Sequence, residues 1–252
     1  MVRTVGTRLL VALALFMACT SVRAETALMA VAANFAKSAE RLAEAFTAES
    51  GHQLTISTGS TGALAAQIRN GAPFTLFLAA DAERPAELEA AGLTVPGTRF
   101  TFAVGRLVLW TPDPRWNLAD PAAALSDPAL RQLAIANPKP APYGRAAQET
   151  LTALGLWEAI EPKLVRGADI AQTFQFVASG NADLGFVALS QVVDQSGGRW
   201  DVPQNLYTPI RQQAVLLRPG KDNAAAKAFL DFLRSQAGQA IIRGAGYGIE
   251  EG

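Results

Sequence analysis

The stretch "QLTISTGSTGALAAQIRNGAPFTLFLAAD", Gln53 to Asp81, decides the fold. Its opening, "QLTIS", alternates polar and apolar residues and reads as a strand. "GALAAQIRN" follows with a helical composition, and Gly71 suits the left-handed turn just past a helix end. "FTLFLAA" is then a second, apolar strand. Strand, helix and strand in so short a span form the unit of a sheet with helices packed on its faces. Between the first strand and the helix lies "TGSTG", rich in hydroxyls and free of charge, with glycines that let the backbone come close to a ligand. Taken alone, Ser60 or Thr61 is a helix cap worth ~1 kcal/mol. The same loop also suits an anion, because a helix N-terminus offers unpaired N–H groups and about half a positive charge.

Outward from this unit the chain keeps alternating. Toward the N-terminus, "ALMAVAA" (Ala27 to Ala33) is a short apolar strand. In "NFAKSAERLAEAF", Phe35, Ala39, Leu42 and Phe46 fall on one helical face, and Asn34 stands where a cap belongs. Toward the C-terminus, "RPAELEAAG", "YGRAAQETLTALG", "AQTFQFVASG", "NAAAKAFLDFLRSQ" and "AGQAIIRGAG" read as helices. "GRLVLWTP", "LAIANP", "DLGFVAL" and "QQAVLL" read as strands. The expected class is α/β with largely parallel sheets. Four loops after strands lead into helices: "AANF", "TGSTG", "NPKPAPYG" and "GADIAQ". In open α/β sheets ligands gather at such carboxyl ends. Several helix N-termini meeting there make an anion site that needs no Lys or Arg.

Of the 252 residues, 50% are hydrophobic and 17% charged, enough apolar chain for a full core. The first 24 residues stand apart. Arg3 and Arg8 precede the apolar run "LLVALALFMAC", and Ala24 offers a small residue for cleavage, which is the pattern of a secretory signal peptide. A soluble, exported mature chain is expected. Cys19, the sole cysteine, leaves with the leader. Cleavage before Cys19 with lipidation is the alternative, with Phe16 in the place where such signals carry leucine. Loss of Arg3, Arg8 and Arg23 removes three of 22 basic residues and none of 22 acidic ones. The remaining net negative charge argues against nucleic acid or an anionic membrane as partner.

Catalytic constellations are missing from the sequence. His52 is the only histidine, which rules out a histidine pair for a metal, and it reads as a surface residue in a helix-to-strand turn. "GSTG" lacks the spacing of a nucleophile elbow, and no phosphate-loop or dinucleotide fingerprint occurs. Tyr143, Asp169 and Ile170 are each ordinary by themselves: a packing aromatic, an N-cap and a buried first-turn residue. Arg145, just beyond Tyr143, reads as part of a solvated helix face, with a place lining the entrance as the alternative. Together on an exported α/β chain, these loops favour a binding protein, and no enzyme is expected.

At "AANFAKSAERLAEAF", "STGSTGALAAQIRNGAPFTLFLAAD", "NPKPAPYG" and "ASGNADLGFVAL" the chain resembles the periplasmic molybdate-binding proteins of ABC transporters, over about Thr26 to Gly248. The resemblance implies a type II periplasmic binding protein: two α/β lobes joined by a hinge, with the ligand cleft between them. Lobe I is expected at about residues 25–103 and 213–252, and lobe II at about 104–212. It further implies molybdate or tungstate as ligand, held through its oxygens, a membrane permease as partner, no cofactor, and a monomer working in the periplasm. The family's first loop pairs a hydroxyl or Asn with a backbone N–H, and Ala33 and Asn34 occupy those places, Ala33 without a hydroxyl. The second loop's hydroxyl falls on Thr61, with Ser60 beside it. The third loop's tyrosine matches Tyr143, and the fourth loop's backbone N–H matches Ile170. The tyrosine that another branch carries after "LGFV" is here Ala188. The alternative ligand is another oxyanion such as sulfate, or a small organic anion.

Overall fold

The structure, a computed structural model, describes residues 24–250. The expected leader, apart from Ala24, and with it Cys19, lies outside the described residues. The chain runs β1 (Thr26–Ala32), α1 (Ala36–Ser50), β2 (Gln53–Gly59), α2 (Thr61–Arg69), β3 (Leu76–Ala79), α3 (Glu83–Ala90) and β4 (Phe100–Gly105). It continues through β5 (Leu107–Thr111), α4 (Pro121–Ser126), β6 (Leu133–Ala136), α5 (Pro142–Ala153), α6 (Trp157–Ile160), β7 (Leu164–Gly167), α7 (Ile170–Ala178) and β8 (Leu184–Ala188). Then follow α8 (Leu189–Val192), β9 (Gly198–Asp201), β10 (Ile210–Leu216), α9 (Ala224–Arg234) and α10 (Gln236–Gly244).

Two five-stranded sheets result, ordered β2-β1-β3-β10-β4 and β7-β6-β8-β5-β9. Their plans are the same: three neighbouring parallel strands, one reversed strand, and an edge strand. The sheets are therefore mixed, which corrects the expectation of largely parallel ones. The reversed strands explain why. β5 opens the second sheet and runs against the parallel set β6, β7 and β8 that follows it, while β10, the first strand after the chain returns, runs against β1, β2 and β3, already aligned.

Strands covered by helices on both faces carry apolar runs instead of alternation. β3, β6 and β8 are buried throughout, and α1, α9 and α10 pack on one face of the first sheet while α2 and α3 pack on the other. The helical face read from the sequence is the buried one: Phe35, Ala39, Leu42 and Phe46 are at most 2% exposed. Phe46 meets the Phe229 ring edge-on at 5.3 Å between centroids, and full burial of such a side chain contributes about 1.5–3 kcal/mol. Gly51 ends α1 at φ +74° and Gly71 follows α2 at φ +85°, the left-handed region that glycine enters without a Cβ clash. Three strands escaped the sequence reading. β4, β7 and β9 are sheet edges, and β7 and β9 have only four residues each, too few for a periodicity to show.

Candidate functional site

The four loops "AANF", "TGSTG", "NPKPAPYG" and "GADIAQ" meet at one small cavity between the sheets. β1 delivers Ala33 and Asn34, β2 delivers Ser60 and Thr61, β6 leads to Tyr143, and β7 leads to Ile170. These six residues line the cavity together with Ala32, Gly59, Ala80, Ala141, Pro142 and Asp169. Each of the six is 7% exposed or less. About 10 Å³ is open to the centre of a water-sized sphere, room for roughly one such sphere.

The lining is rich in donors, for reasons that can be traced bond by bond. Thr61 Oγ1 accepts the Ala80 N–H at 3.0 Å, so its own proton points elsewhere. Tyr143 Oη accepts from Gln212 Nε2 at 3.3 Å in the same way. Burial pushes the Tyr143 hydroxyl well above its usual pKa, which keeps its proton in place. Ser60 occupies the N-cap position of α2, but its side chain makes no capping hydrogen bond, contrary to the simplest expectation. In α2 the Gly62 N–H goes to the Pro140 carbonyl at 2.9 Å and the Leu64 N–H to the Ser60 carbonyl, leaving the Thr61 N–H at the cavity. Asp169, the one acidic residue of the lining, caps α7 as expected. Its Oδ1 takes the Ala171 and Gln172 N–H groups at 2.9 and 3.0 Å, and its carbonyl takes Thr173, which leaves the Ile170 N–H of the first turn.

Asn34 does not cap α1. The chain enters that helix through a 3-10 turn, Ala33–Phe35, without a side-chain cap. The Asn34 side chain turns away, its Nδ2 donating to Gln212 Oε1 at 3.0 Å and to the Tyr247 hydroxyl at 3.1 Å. Both amide protons are thereby used, and the backbone N–H is what Asn34 presents to the cavity. The Asn34 carbonyl accepts the Tyr247 hydroxyl at 2.7 Å and Ser190 Oγ at 3.1 Å. Gln212, Tyr247 and Ser190 went unnoticed in the sequence. They lie between 57 and 213 positions from their partners, so no local spacing ties them to the loops. The one available signal was a pair of glutamines heading the otherwise apolar run "QQAVLL".

An outer groove of about 280 Å³ adjoins the cavity and shares Ala80 and Pro142 with it. It is lined by Asp81, Glu83 and Glu149 together with Arg145 and Arg211, a mixed lining unlike that of the inner cavity. Arg145 is not part of a free solvated face. Its Nη1 donates to Glu83 Oε2 at 2.9 Å, bridging α5 to α3 across the mouth, and this bond holds the Glu83 carboxyl below its usual pKa. Arg84 reaches the Lys139 carbonyl from the other direction at 3.3 Å. On the far side, Lys37 pairs with Asp194 at 3.3 Å. These exposed pairs are each worth well under ~1 kcal/mol in salt.

His52 corrects another expectation. It is 5% exposed, its Nδ1 accepts the Glu25 N–H at 3.1 Å, and its ring stacks on Phe46. It sits on the rim of the α1 core, remote from the cavity lining. His52→Ala is expected to cost roughly 1–3 kcal/mol in urea unfolding, from a lost acceptor and lost packing. Anion titration of the same variant is expected to match the parent, and a loss of binding would place His52 in the site.

Residues 27–248 match the family described as bacterial extracellular solute-binding protein. The molybdate-binding protein ModA of Azotobacter vinelandii is 51% identical over 248 residues, covering 96% of this chain and 98% of that one. Its counterpart from Rhodobacter capsulatus is 50% identical, covering 88% and 87%. The solved structure of the Azotobacter vinelandii periplasmic molybdate-binding protein superimposes with a TM-score of 0.85, at 39% identity, over 89% of this chain and all of that one. With two α/β lobes, four loops meeting between them and this degree of shared sequence, the chain belongs to the bacterial extracellular solute-binding proteins and, among them, to the molybdate-binding ModA proteins.

Proposed function

We propose that the chain captures molybdate or tungstate outside the cytoplasmic membrane and delivers it to the permease of an ABC transporter. The observation that carries the reading is the composition of the inner cavity, where hydroxyl and backbone donors meet at helix N-termini with no free cation among the lining residues. The oxyanion is held by the Asn34 N–H, the Ser60 hydroxyl, the Thr61 hydroxyl and N–H, the Tyr143 hydroxyl and the Ile170 N–H, with Ala33 contributing backbone and a methyl wall. Burying a divalent anion is costly unless every oxygen is supplied with donors. The N-termini of α2, α5 and α7 add positive partial charge without a counter-ion.

Size gives selectivity. Donors set for molybdate are too far apart for sulfate, and a misfit of a few tenths of an ångström over several bonds is worth a few kcal/mol, on the order of a hundredfold in affinity. Phosphate is disfavoured because its remaining proton meets donors at Tyr143 and the backbone N–H groups, while Asp169, the one carboxylate of the lining, is engaged through Oδ1 as the cap of α7. The lobes, about 25–103 with 213–252 and about 104–212, open and close about the two crossings of the chain, where the end of β4 (to Gly105) and the start of β10 (from Ile210, including Gln212) stay with the first sheet. There Val104 pairs with Gly248, and the Tyr207 hydroxyl accepts the Leu107 N–H. The chain acts as a monomer without a cofactor and catalyses no reaction. Its leader directs it to the periplasm, and Cys19 is removed with it.

A second reading, sulfate or a small organic anion, draws on Ala33, whose methyl stands where the family's hydroxyl is expected. Calorimetric titration of residues 25–252 with molybdate, tungstate, sulfate and phosphate separates the two. Sub-micromolar binding of the first two with little response to sulfate is expected. Tight sulfate binding, or no binding by any of the four, would overturn the molybdate assignment.

A further inference from the structure

The buried side chain of Gln212 stands behind the cavity and touches two of its walls. Gln212 is fully buried on β10, at the point where the pairing of β10 with β4 slips by a residue. The extra residue is Phe102 of β4, opposite Gln212, and the Gln212 amide reaches between the lobes: Oε1 accepts from Asn34 Nδ2 at 3.0 Å, and Nε2 donates to Tyr143 Oη at 3.3 Å. The order of donors is fixed by chemistry. Asn34 Nδ2 is a pure donor, so it must face the Gln212 oxygen, and the Gln212 nitrogen must then face Tyr143. The space is closed behind the pair by Gly105, where a Cβ would stand 2.2 Å from Tyr143 Oη and 2.9 Å from Gln212 Nε2. Any side chain at 105 would push the two apart.

We infer that Gln212 is a positioning residue that sets the polarity of the Tyr143 hydroxyl, and through it the preference of the site for fully deprotonated oxyanions. With its oxygen turned to the Gln212 amide, Tyr143 presents its proton to the cavity. A ligand bearing a proton of its own meets a second proton at Tyr143 where it needs an acceptor. A fully deprotonated anion meets a donor. Gln212 comes from the first sheet and Tyr143 from α5 on the second, so closing the lobes and orienting the hydroxyl are one event. Asn34 anchors the far end of the chain of bonds through Tyr247 and Ser190, which stops the glutamine amide from turning over.

The inference rests on the proposed oxyanion site, and its test separates the two. Molybdate and phosphate affinities are measured at mildly alkaline pH, where both anions are divalent, for Tyr143→Phe, Gln212→Leu and the double variant, each with a melting curve. Tyr143→Phe alone is expected to weaken molybdate binding about tenfold. Gln212→Leu is expected to weaken it by a similar factor and to narrow the molybdate-to-phosphate ratio, because the freed hydroxyl can turn its oxygen toward a protonated ligand. In the Tyr143→Phe background Gln212→Leu is expected to change that ratio no further, as residues acting through one group are not additive. If Gln212→Leu fails to fold, Gln212→Glu keeps the shape and the Asn34 bond but accepts from Tyr143 when ionised. Its added charge acts alike on both divalent anions, so the ratio still reads the hydroxyl, and it is expected to shift further toward phosphate. Effects of Gln212 and Tyr143 that simply multiply, or an unchanged ratio in both Gln212 variants, would reduce Gln212 to packing and leave the site standing. Unaltered molybdate binding in Tyr143→Phe would remove Tyr143 from the site and overturn both.

Discussion

Thr61→Ala is expected to lower molybdate affinity by about 1–3 kcal/mol, roughly five- to 150-fold, and to lower the melting temperature of the ligand-free protein as well. The two losses come from one oxygen. Thr61 Oγ1 accepts the Ala80 N–H, and Ala80 is 2% exposed, so alanine at 61 leaves a buried N–H without a partner. That orphan costs stability whether or not ligand is present. The hydroxyl proton, directed away from Ala80, is the one the proposed site gives to the anion, and its loss is felt only on binding. Thr61→Ser keeps both bonds and is expected to restore both quantities to near the parent. Calorimetric titration and thermal melting of the two variants check this. A variant that melts early but binds as before would confine Thr61 to the scaffold.

The loops that meet at the cavity were legible because each is a local event: a strand, a short polar loop and a helix, all within a few residues of one another. Asp169 capping α7, Gly71 closing α2 and the buried face of α1 all follow from spacing alone. What spacing could not reveal is which atoms of those loops are already in use. Asn34 is a good cap in sequence, yet its amide is claimed by Gln212 and Tyr247, 178 and 213 positions away. His52 follows a glycine in a turn and looks exposed, but the N-terminal segment lays the Glu25 N–H on its ring nitrogen. Arg145 has the look of a solvated helix residue until α3 of the other lobe presents Glu83. In each case a long-range partner, invisible to any window of sequence, gave a side chain a place and role that its local context did not suggest. The reversal of β5 and β10 has the same origin. Strand direction depends on where the chain crosses between lobes, and no run of apolar residues encodes that.

Gly62→Ala is expected to move stability and affinity in opposite directions. Gly62 lies in the first turn of α2 with ordinary helical backbone, and it is not among the glycines with positive φ. Alanine is a better helix former by up to about 1 kcal/mol, so the ligand-free protein is expected to be as stable as the parent or slightly more so. The binding form is another matter. A Cβ at 62 would stand 2.9 Å from Pro140 Cα and 3.1 Å from its carbonyl oxygen, in the loop that brings Tyr143 across from the second sheet. The same carbonyl accepts the Gly62 N–H at 2.9 Å, so the loop cannot retreat without breaking that bond. Both neighbours are backbone atoms, which yield less readily than a side-chain tip. Closure is therefore opposed by about 1–3 kcal/mol, which lowers affinity roughly five- to 150-fold for an anion that needs both lobes. A ligand held by one lobe alone would be indifferent to the substitution. Melting curves with and without saturating molybdate read both terms at once, because stabilisation by ligand scales with its affinity for the folded state. An alanine variant that melts at or above the parent without ligand, but gains much less from molybdate, is the expected pattern. Equal gains in parent and variant would mean that Gly62 and Pro140 need not approach for the anion to bind, and the closed arrangement of α2 against the Tyr143 loop would then lie outside the binding event.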